Sequence, residues 1–372
     1  MKKLFLISAL AVFIFVQLFS QSNIRREINI PNIEGYVTLK CDFHIHTVFS
    51  DGMVWPTVRV KEAWKEGLDV IAYTDHLEYQ PHKKDISTDH NRATDIGLEL
   101  AEQYNIIVIR GTEITRKKPM GHINAIFTLD NNPIFVADSM ESINIAKKQN
   151  AFITWNHPSE KYGKWSEIQD ILYKNSMFQG IEVANHNTYY PDAHQWCIDK
   201  NLTMMGTSDV HEPIDFDYNF AKGERRTMTL VFATQRTSDA VKQALIDRNT
   251  VVFWKNKLLG NEKFLKPIFN QSVSLQKKSF TFKKGFKNKG LLLIKNNSDL
   301  SYTIKLTNTN PEMKIDAKSI VLEANSVTSV SFDYKSDLTQ TKNIVIPAEI
   351  ENLYVLPNTP LKTEMSFEVK VQ

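Results

Sequence analysis

The residue types that usually build catalytic and metal sites are confined to the first part of this 372-residue chain. No histidine, tryptophan, arginine or cysteine occurs between Glu262 and Gln372, where lysine is the only basic side chain. So abrupt a change in composition marks a domain boundary. We therefore expect a domain that carries the chemistry at residues 21–260 and a second domain at residues 261–372.

Residues 21–260 alternate short β-type runs with amphipathic helical patterns. The helical patterns begin near Pro56, Ala93, Asp138, Ile168 and Val241. The β-type runs are Asp69–Thr74, Ile106–Arg110, Ile123–Phe127, Ala151–Trp155, Gly180–Ala184, Leu202–Thr207, Met228–Ala233 and Thr250–Trp254. This alternation predicts parallel βα units, arranged either as a barrel or as a doubly wound sheet.

The second domain has a different pattern. Short β-type runs follow one another from Ser272 to Val371, and Asn, Asp, Gly and Lys separate them. Runs of this length and spacing are typical of a small antiparallel β-sandwich. We expect residues 261–372 to form such a sandwich.

The first 20 residues have the features of a targeting signal. A basic start at Met1–Lys3 precedes the apolar run Leu4–Phe19, in which Ser8 and Gln17 are the polar residues. This run is short for a membrane span, which needs about 20 apolar residues. The pattern predicts a signal peptide at residues 1–20 whose cleavage leaves a periplasmic or secreted chain with no membrane span. A retained anchor is the alternative.

Composition excludes several classes of protein. Apolar residues make up 42% of the chain and charged residues 23%, which excludes a disordered or multi-span membrane protein. The net charge of +3 is too small for a broad basic field, so we expect no nucleic acid as a stable partner. Two cysteines are too few for a disulfide scaffold, and we expect Cys41 and Cys197 to be free, buried thiols. The oligomeric state is left open.

Residues of metal-ligand type recur at the edges of the β-type runs. His44 and His46 lie two apart on an extended run and therefore point the same way. The full set is His44, His46, Asp51, His76, Glu113, His122, His157, Asp209 and His211. In a parallel α/β barrel the carboxyl ends of the strands converge on one face. Because one zinc takes about four ligands, this set indicates two or three metals. Scattered, hydrogen-bonded histidines and turn aspartates are the alternative.

The same residues form recognisable motifs. They are Asp42–Thr47 (DFHIHT), Ser50–Gly52 (SDG), Thr74–His76 (TDH), Gly111–Glu113 (GTE) and Ser208–His211 (SDVH). In this order they resemble the motifs of the polymerase-and-histidinol-phosphatase (PHP) superfamily, and the resemblance covers about residues 38–255. Within it, Phe49–His82 resembles the secreted bacterial phosphodiesterases of the Sb-PDE type. The resemblance implies an α/β fold, a distorted (β/α)7 barrel.

The resemblance also implies roles for the nine residues. A first metal would be held by His44, His46 and Asp209, a second by His122 and His157, and a third by Asp51, His76 and His211. Glu113 would bridge metals. Many relatives have histidine in place of Asp51. If His122 is not a ligand, it would face the substrate. Mixed imidazole and carboxylate ligands suit two or three divalent ions of manganese, zinc or iron.

The predicted function is hydrolysis of small phosphodiesters by a metal-bound hydroxide. The alternatives are a phosphomonoesterase acting on nucleotides or sugar phosphates, and an envelope binding protein that uses the β-domain. Amide or lactone hydrolysis is a further use of such a site, but the resemblance favours phosphate esters.

Four further residues are candidates for the catalytic site. Arg225 and Arg226 would clamp phosphate oxygens, unless they form a solvated basic turn. Asp75 would orient a ligand histidine or transfer a proton, unless it only caps a strand. His186 follows a β-type run and would face the pocket.

Overall fold

The computed structural model describes residues 24–315 and 319–372. The predicted signal peptide at residues 1–20 lies outside the described residues. Within the described ranges, no helix combines the length and the apolar character that a membrane crossing requires.

The first domain alternates strands and helices. Its strands are β1 Val37–Ile45, β2 Val70–Tyr73, β3 Ile107–Thr115, β4 His122–Ile126, β5 Phe152–Trp155, β6 Gly180–Asn185, β7 Thr188–Tyr189, β8 Thr203–Thr207, β9 Met228–Ala233, β10 Thr250–Trp254 and β11 Lys257–Gly260. Its helices are α1 Pro56–Lys65, α2 Arg92–Ala101, α3 Ser139–Lys148, α4 Glu167–Lys174, α5 Pro191–Asp199, α6 Ile214–Asp217 and α7 Ser238–Ile246.

Local sequence explains where several helices begin. Proline, whose fixed φ suits the first turn, opens α1 at Pro56. The side chain of Asp138 accepts a hydrogen bond from the backbone N–H of Glu141 and so caps α3, as the sequence predicts. In α4, Ser166 and Gln169 form a full capping box. These caps fix the entry of each helix onto the sheet.

The strands form a distorted barrel, which confirms the predicted fold class. Their order is β9-β1-β2-β3-β4-β5-β6, with β8 beside β6. The segment after β8 closes the ring, because the N–H of Asp209 donates to the carbonyl of His44 (2.9 Å) and the N–H of His46 donates to that of Val210 (3.1 Å). The last carboxylate motif is thereby fixed beside the first histidine motif.

The sheet is mixed, whereas the alternation of runs predicted parallel units. Strands β1, β2 and β3 are parallel, but β4 is antiparallel to β3 and to β5, and β9 is antiparallel to β1. The physical reason at β4 is the short connection from Thr115 to His122, which leaves no room for a crossover helix. His122 therefore begins its strand at the same edge where β3 ends.

The second domain is a β-sandwich. Its strands are β12 Val273–Leu275, β13 Ser279–Phe282, β14 Asn288–Asn296, β15 Tyr302–Leu306, β16 Met313–Ile315, β17 Ser319–Leu322, β18 Val327–Tyr334, β19 Gln340–Leu356 and β20 Thr359–Val371. One sheet has the order β12-β14-β18-β16, and the long β19–β20 hairpin anchors the other. Strand β19 also pairs in parallel with β11 of the barrel, so the backbone hydrogen bonding continues between the domains.

Helix α8, Glu262–Ser272, joins the two domains. It was not predicted from sequence, and it begins directly after the predicted boundary at residue 260. Phe264 stacks on Phe232 of the barrel with ring centroids 4.6 Å apart, and Phe269 meets Tyr302 of the sandwich edge-on at 5.3 Å. A single apolar core therefore runs from the barrel through α8 into the sandwich.

The packing of Phe264 predicts a loss of stability on truncation. Phe264→Ala should lower the free energy of unfolding by about 3–5 kcal/mol, because the ring is 3% exposed and would leave a cavity. Urea unfolding of the full chain measures this. Phe264→Leu is the matched control and should cost clearly less. An alanine variant within about 1 kcal/mol of wild type would contradict the account.

Both cysteines are free and buried, as the sequence predicts.

His194 on α5 is a buried titratable group. Its Nδ1 lies 2.9 Å from the Tyr189 hydroxyl, while Nε2 has no hydrogen-bond partner among the described residues. Burial lowers the pKa of His194 to about 4, so the folded protein holds it neutral.

His194 predicts a pH dependence of stability. The unfolded chain binds a proton at this histidine below about pH 6.5, and the folded chain does so only near pH 4. Stability is therefore lost as the pH falls through that window. Between pH 7 and pH 5, His194→Gln should remove about 2 kcal/mol of the wild-type loss in urea unfolding. Parallel pH curves for the two proteins would contradict this assignment.

Candidate metal centre

The structure brings all nine predicted ligand residues together at one face of the barrel. They fall into four overlapping groups. Within each group, the ligand atoms lie within 4.8 Å of one another. The groups are His46, Asp51, His76 and His211; His44, His157 and Asp209; His44, His46 and Glu113; and Glu113, His122 and His157.

His44, His46 and Asp209 form the centre of the cluster. The Nε2 atoms of the two histidines lie 3.0 Å apart, and each lies 3.1 Å from Oδ1 of Asp209. The Glu113 carboxylate is 3.6 Å from both of these nitrogens. The two Nε2 atoms and Oδ1 of Asp209, about 3 Å from one another, suit one ion with bonds of about 2 Å. His44, His46 and Asp209 are the residues that the PHP resemblance assigns to a first metal.

Asp51, His76 and His211 lie on the more exposed side. Oδ1 of Asp51 is 3.4 Å from Nε2 of His76 and 3.3 Å from Nε2 of His211. Gly52 permits this turn, because a Cβ at this position would lie 2.7 Å from the carbonyl carbon of His46. The imidazole of His46 faces this group as well, with its ring 4.1 Å from that of His211.

Glu113 connects the groups from a fully buried position on β3. Oε2 lies 2.6 Å from Nδ1 of His76, while Oε1 lies 3.0 Å from Nδ1 of His122 and 3.7 Å from Nε2 of His157. The Asn156 amide also donates to Oε1 at 3.0 Å. This carboxylate is therefore placed to bridge, and His122 belongs to the cluster.

The residues present fit divalent metal ions. Oδ1 of Asp51 and Nδ1 of His157 are buried and have no hydrogen-bond partner within the described part of the chain. Buried polar atoms without partners are rare, and a bound cation would satisfy the carboxylate oxygen. The mixture of imidazole and carboxylate donors suits zinc, manganese or iron.

The electrostatics also prepare the cluster for cations. Burial acts to raise the pKa of Glu113, but the neighbouring His76 and His44 hold it well below its usual range. Burial likewise opposes ionisation of Asp209, and His44 and His46 keep its pKa low. Both carboxylates are therefore negatively charged, Glu113 in a fully buried position and Asp209 in a partly buried one.

Two ligand residues have unusual backbone conformations. Asp209 has a φ of 53° and His157 a φ of 28°, in the region that favours glycine. Such conformations cost about 1–3 kcal/mol each and persist only where the surroundings impose them. At Asp209 the surroundings are the hydrogen bonds that close the barrel.

Comparison with known proteins identifies the family. A crystal structure of a two-domain protein from Bacteroides vulgatus, which contains a predicted PHP-like metal-dependent phosphoesterase, matches with a TM-score of 0.86. The sequences are 42% identical, and the match covers 92% of this chain and 99% of the other. This chain belongs to the PHP-like metal-dependent phosphoesterases.

The second domain of this PHP-like phosphoesterase is Ig-like. Residues 275–366 match the family described as an Ig-like domain. In addition, an uncharacterised protein of Methanocaldococcus jannaschii is 39% identical over 83 residues. That match covers 22% of this chain and only 36% of the relative's length.

Glu182 is a buried residue of the PHP-like site that the sequence analysis missed. Its carboxylate accepts from Nδ1 of His44 at 2.7 Å, from the hydroxyl of Thr207 at 2.6 Å and from the backbone N–H of His157 at 2.7 Å. A carboxylate behind a ligand histidine fixes its tautomer and orientation. A charged residue inside the apolar run Gly180–Ala184 was the available signal.

Arg59 on α1 is a second missed residue. Its guanidinium, 1% exposed, donates to the backbone carbonyls of His46 (3.0 Å), His211 (2.7 Å) and Glu212 (2.8 Å). It therefore ties the first and last ligand motifs to one side chain. No local sequence pattern indicates this role, because the partners of Arg59 are backbone carbonyls of other segments of the chain.

Asp75 acts through its neighbours. Its carboxylate accepts from the backbone and hydroxyl of Thr47, both at 2.7 Å, and from the hydroxyl of Ser50 at 2.7 Å. Ser50 in turn lies 3.3 Å from Nδ1 of His46. The structure thus places Asp75 as a residue that positions the first ligand motif.

The structure does not bring Arg226 to the metal cluster. Its guanidinium is buried and makes a bidentate pair with Glu66, at 2.7 and 2.8 Å, and a further bond to Asp42 at 2.9 Å. Asp42 also accepts from the hydroxyl of Ser208 at 2.5 Å. Arg226 therefore braces the barrel beneath the ligands and is not free to clamp a phosphate.

Arg225 and His186 lie apart from the ligand groups. The guanidinium of Arg225 donates to the backbone carbonyls of Arg26 and Glu27. His186 packs on Tyr218 with ring centroids 5.3 Å apart and accepts from the Asn187 amide. Neither residue contacts a ligand atom of the cluster.

The hydrogen bond from His44 to Glu182 predicts a metal-binding defect. Glu182→Gln should lower metal affinity about 10–100-fold, because the amide cannot hold His44 as a carboxylate does. Equilibrium dialysis against buffered Zn²⁺ or Mn²⁺, with metal analysis of the protein, measures this.

The exposed Glu167→Gln on α4 removes one carboxylate elsewhere and should keep wild-type affinity. If Glu182→Gln and Glu167→Gln bind metal equally well, Glu182 has no part in positioning His44.

Proposed function

We propose that this PHP-like phosphoesterase hydrolyses small phosphodiesters, of the kind handled by the Sb-PDE-type enzymes that its sequence resembles. The finding that carries the choice of a diester is the placement of the two arginines. Arg226 is paired with Glu66 and Asp42, and Arg225 with backbone carbonyls. We therefore infer that the phosphate is neutralised by metal ions at the cluster and not by these two arginines.

The charge of the substrate decides between diester and monoester. A phosphomonoester carries about −1.5 to −2 charges at neutral pH, whereas a diester carries one. Arginine is over-represented where a phosphate is bound through two parallel hydrogen bonds. With both candidate guanidinium groups engaged elsewhere, the cluster suits the singly charged diester better.

Divalent ions bound at the cluster would act as Lewis acids, lower the pKa of water and neutralise phosphate oxygens. We propose two or three ions of manganese, zinc or iron. Asp209 and Glu113 supply the buried negative charge that holds them, and Glu182 keeps His44 in its orientation. Asp51 and His211, whose side chains are 28% and 34% exposed, stand at the open side where a substrate enters.

The cellular setting is part of the proposal. The basic start and apolar run of residues 1–20 are typical of a secretory signal. We propose that the enzyme acts in the periplasm or outside the cell on diesters present there.

Metal removal and substrate choice test the proposed function together. Prolonged treatment with excess EDTA should abolish hydrolysis of bis-p-nitrophenyl phosphate, and Mn²⁺, Zn²⁺ or Co²⁺ should restore it. The rate on p-nitrophenyl phosphate should be clearly lower at equal metal loading, because that substrate carries the additional charge.

Full activity after chelation would overturn the metal-dependent mechanism. Preferential hydrolysis of p-nitrophenyl phosphate by the metal-loaded enzyme would instead establish a phosphomonoesterase. Glu113→Gln keeps the shape of the side chain but removes its charge. The kcat of this variant should fall at least about 10²-fold on either ester.

A further inference from the structure

A cleft of about 820 Å³ lies between the barrel and the Ig-like domain. On the barrel side it is lined by Asn187, by the loop that contains Lys222 and Arg225, and by the turn Lys255–Asn256. The Ig-like domain contributes Asp299, Leu300 and Ser301. This volume is in the range of small-molecule binding sites.

The cleft is on the same face of the barrel as the metal cluster. Strand β10 is antiparallel to β9, and β9 is antiparallel to β1, so β10 runs parallel to β1. The turn after β10 therefore emerges on the side where β1 delivers its ligand histidines. Strand β6 has the same direction, because β3 and β5 are both antiparallel to β4 and β6 is parallel to β5.

Residues at the end of β6 connect the cleft with the cluster. The Asn185 amide donates to Oδ2 of the ligand Asp209 at 3.3 Å. Two residues later, Asn187 lines the cleft, and two residues of chain span at most about 7 Å. Between them, His186 packs against Tyr218, which also lines the cleft. The cleft wall therefore begins two residues along the chain from a side chain that contacts a ligand of the cluster.

The cleft walls are held in place by hydrogen bonds between the domains. The Asn352 amide donates to the carbonyls of both Asn256 and Ser301, at 2.9 and 2.8 Å. Asp299 accepts from the backbone N–H of Asn29 at 2.6 Å and from the Asn325 amide at 2.6 Å. These contacts hold the two walls of the cleft against each other.

The charges of the lining favour an anion. Within the described part of the chain, none of the side chains of Lys222, Arg225 and Lys255 forms an ion pair. The carboxylates of Glu224 and Asp299 point to backbone or amide N–H donors instead. The lining therefore holds three cationic side chains against the two carboxylates of Glu224 and Asp299, and this net charge of +1 favours anionic ligands.

We propose that this cleft binds an anionic group of the substrate that is remote from the scissile phosphate. The inference rests on the proposed function and deepens it, since it names the substrate class as diesters with a second negative charge. It also gives the Ig-like domain a part in substrate recognition, through Asp299, Leu300 and Ser301.

A matched pair of substrates tests the proposal. The pair is p-nitrophenyl hexyl phosphate and its analogue whose hexyl chain ends in a carboxylate. The enzyme should show a higher kcat/KM for the carboxylate analogue. In the double variant Lys222→Ala/Lys255→Ala, the ratio of the two kcat/KM values should fall roughly three- to thirtyfold, the range expected for two exposed ion pairs.

Lys174→Ala is the charge-matched control, because Lys174 is exposed on α4 and lines no part of the cleft. This control should keep the wild-type ratio. A second variant, Ser301→Trp, fills the cleft from the Ig-like side and should lower the same ratio. Equal ratios in wild type and both cleft variants would overturn the proposal.

Direct titration separates this proposal from the proposed function. Isothermal calorimetry of the metal-loaded protein with each diester reports binding whether or not turnover occurs. A tighter Kd for the carboxylate analogue, lost in the double variant, supports the cleft even if neither diester is hydrolysed, an outcome that would overturn only the proposed function. Equal Kd values for the two diesters would overturn the cleft proposal alone.

Discussion

The buried carboxylate of Glu113 is the interaction on which the rest of the metal centre depends. It is within 3.7 Å of nitrogen atoms of five histidines that come from four segments of the chain. A charge in such a position is costly unless opposite charge surrounds it. The neighbouring imidazoles supply part of that charge, and divalent cations held by the cluster would supply the rest.

The barrel geometry follows from this requirement. Strand β3 carries Glu113 into the interior, and the short hairpin to β4 returns His122 to the same edge. The segment after β8 lies against β1, which places Asp209 beside His44 and His46. Arg59 and Arg226, both buried, then fix the ligand motifs from behind through carbonyl and carboxylate partners. Arg59 and Arg226 thus have a structural role, holding the ligand motifs in place.

The ligand set was predictable from sequence because its residues stand in short, ordered motifs at strand edges. The supporting residues were not, since their partners are distant in the chain. The Arg225–Arg226 doublet suggested a phosphate clamp, yet Asp42 and Glu66 occupy Arg226 from more than 150 residues away. Helix α8 was overlooked although Phe264, Leu265, Ile268 and Phe269 have helical spacing. The apolar face of α8 packs against both domains, and the local sequence does not show these partners.

X-ray diffraction from crystals equilibrated with Mn²⁺, recorded at the manganese absorption edge, tests the central claim most directly. The account predicts anomalous peaks within the cluster, one of them bounded by His44, His46 and Asp209 and adjacent to the Glu113 carboxylate. It also predicts that this peak weakens in Glu113→Gln crystals at the same Mn²⁺ concentration. Ordered wild-type side chains with no anomalous peak among the nine residues would contradict the account.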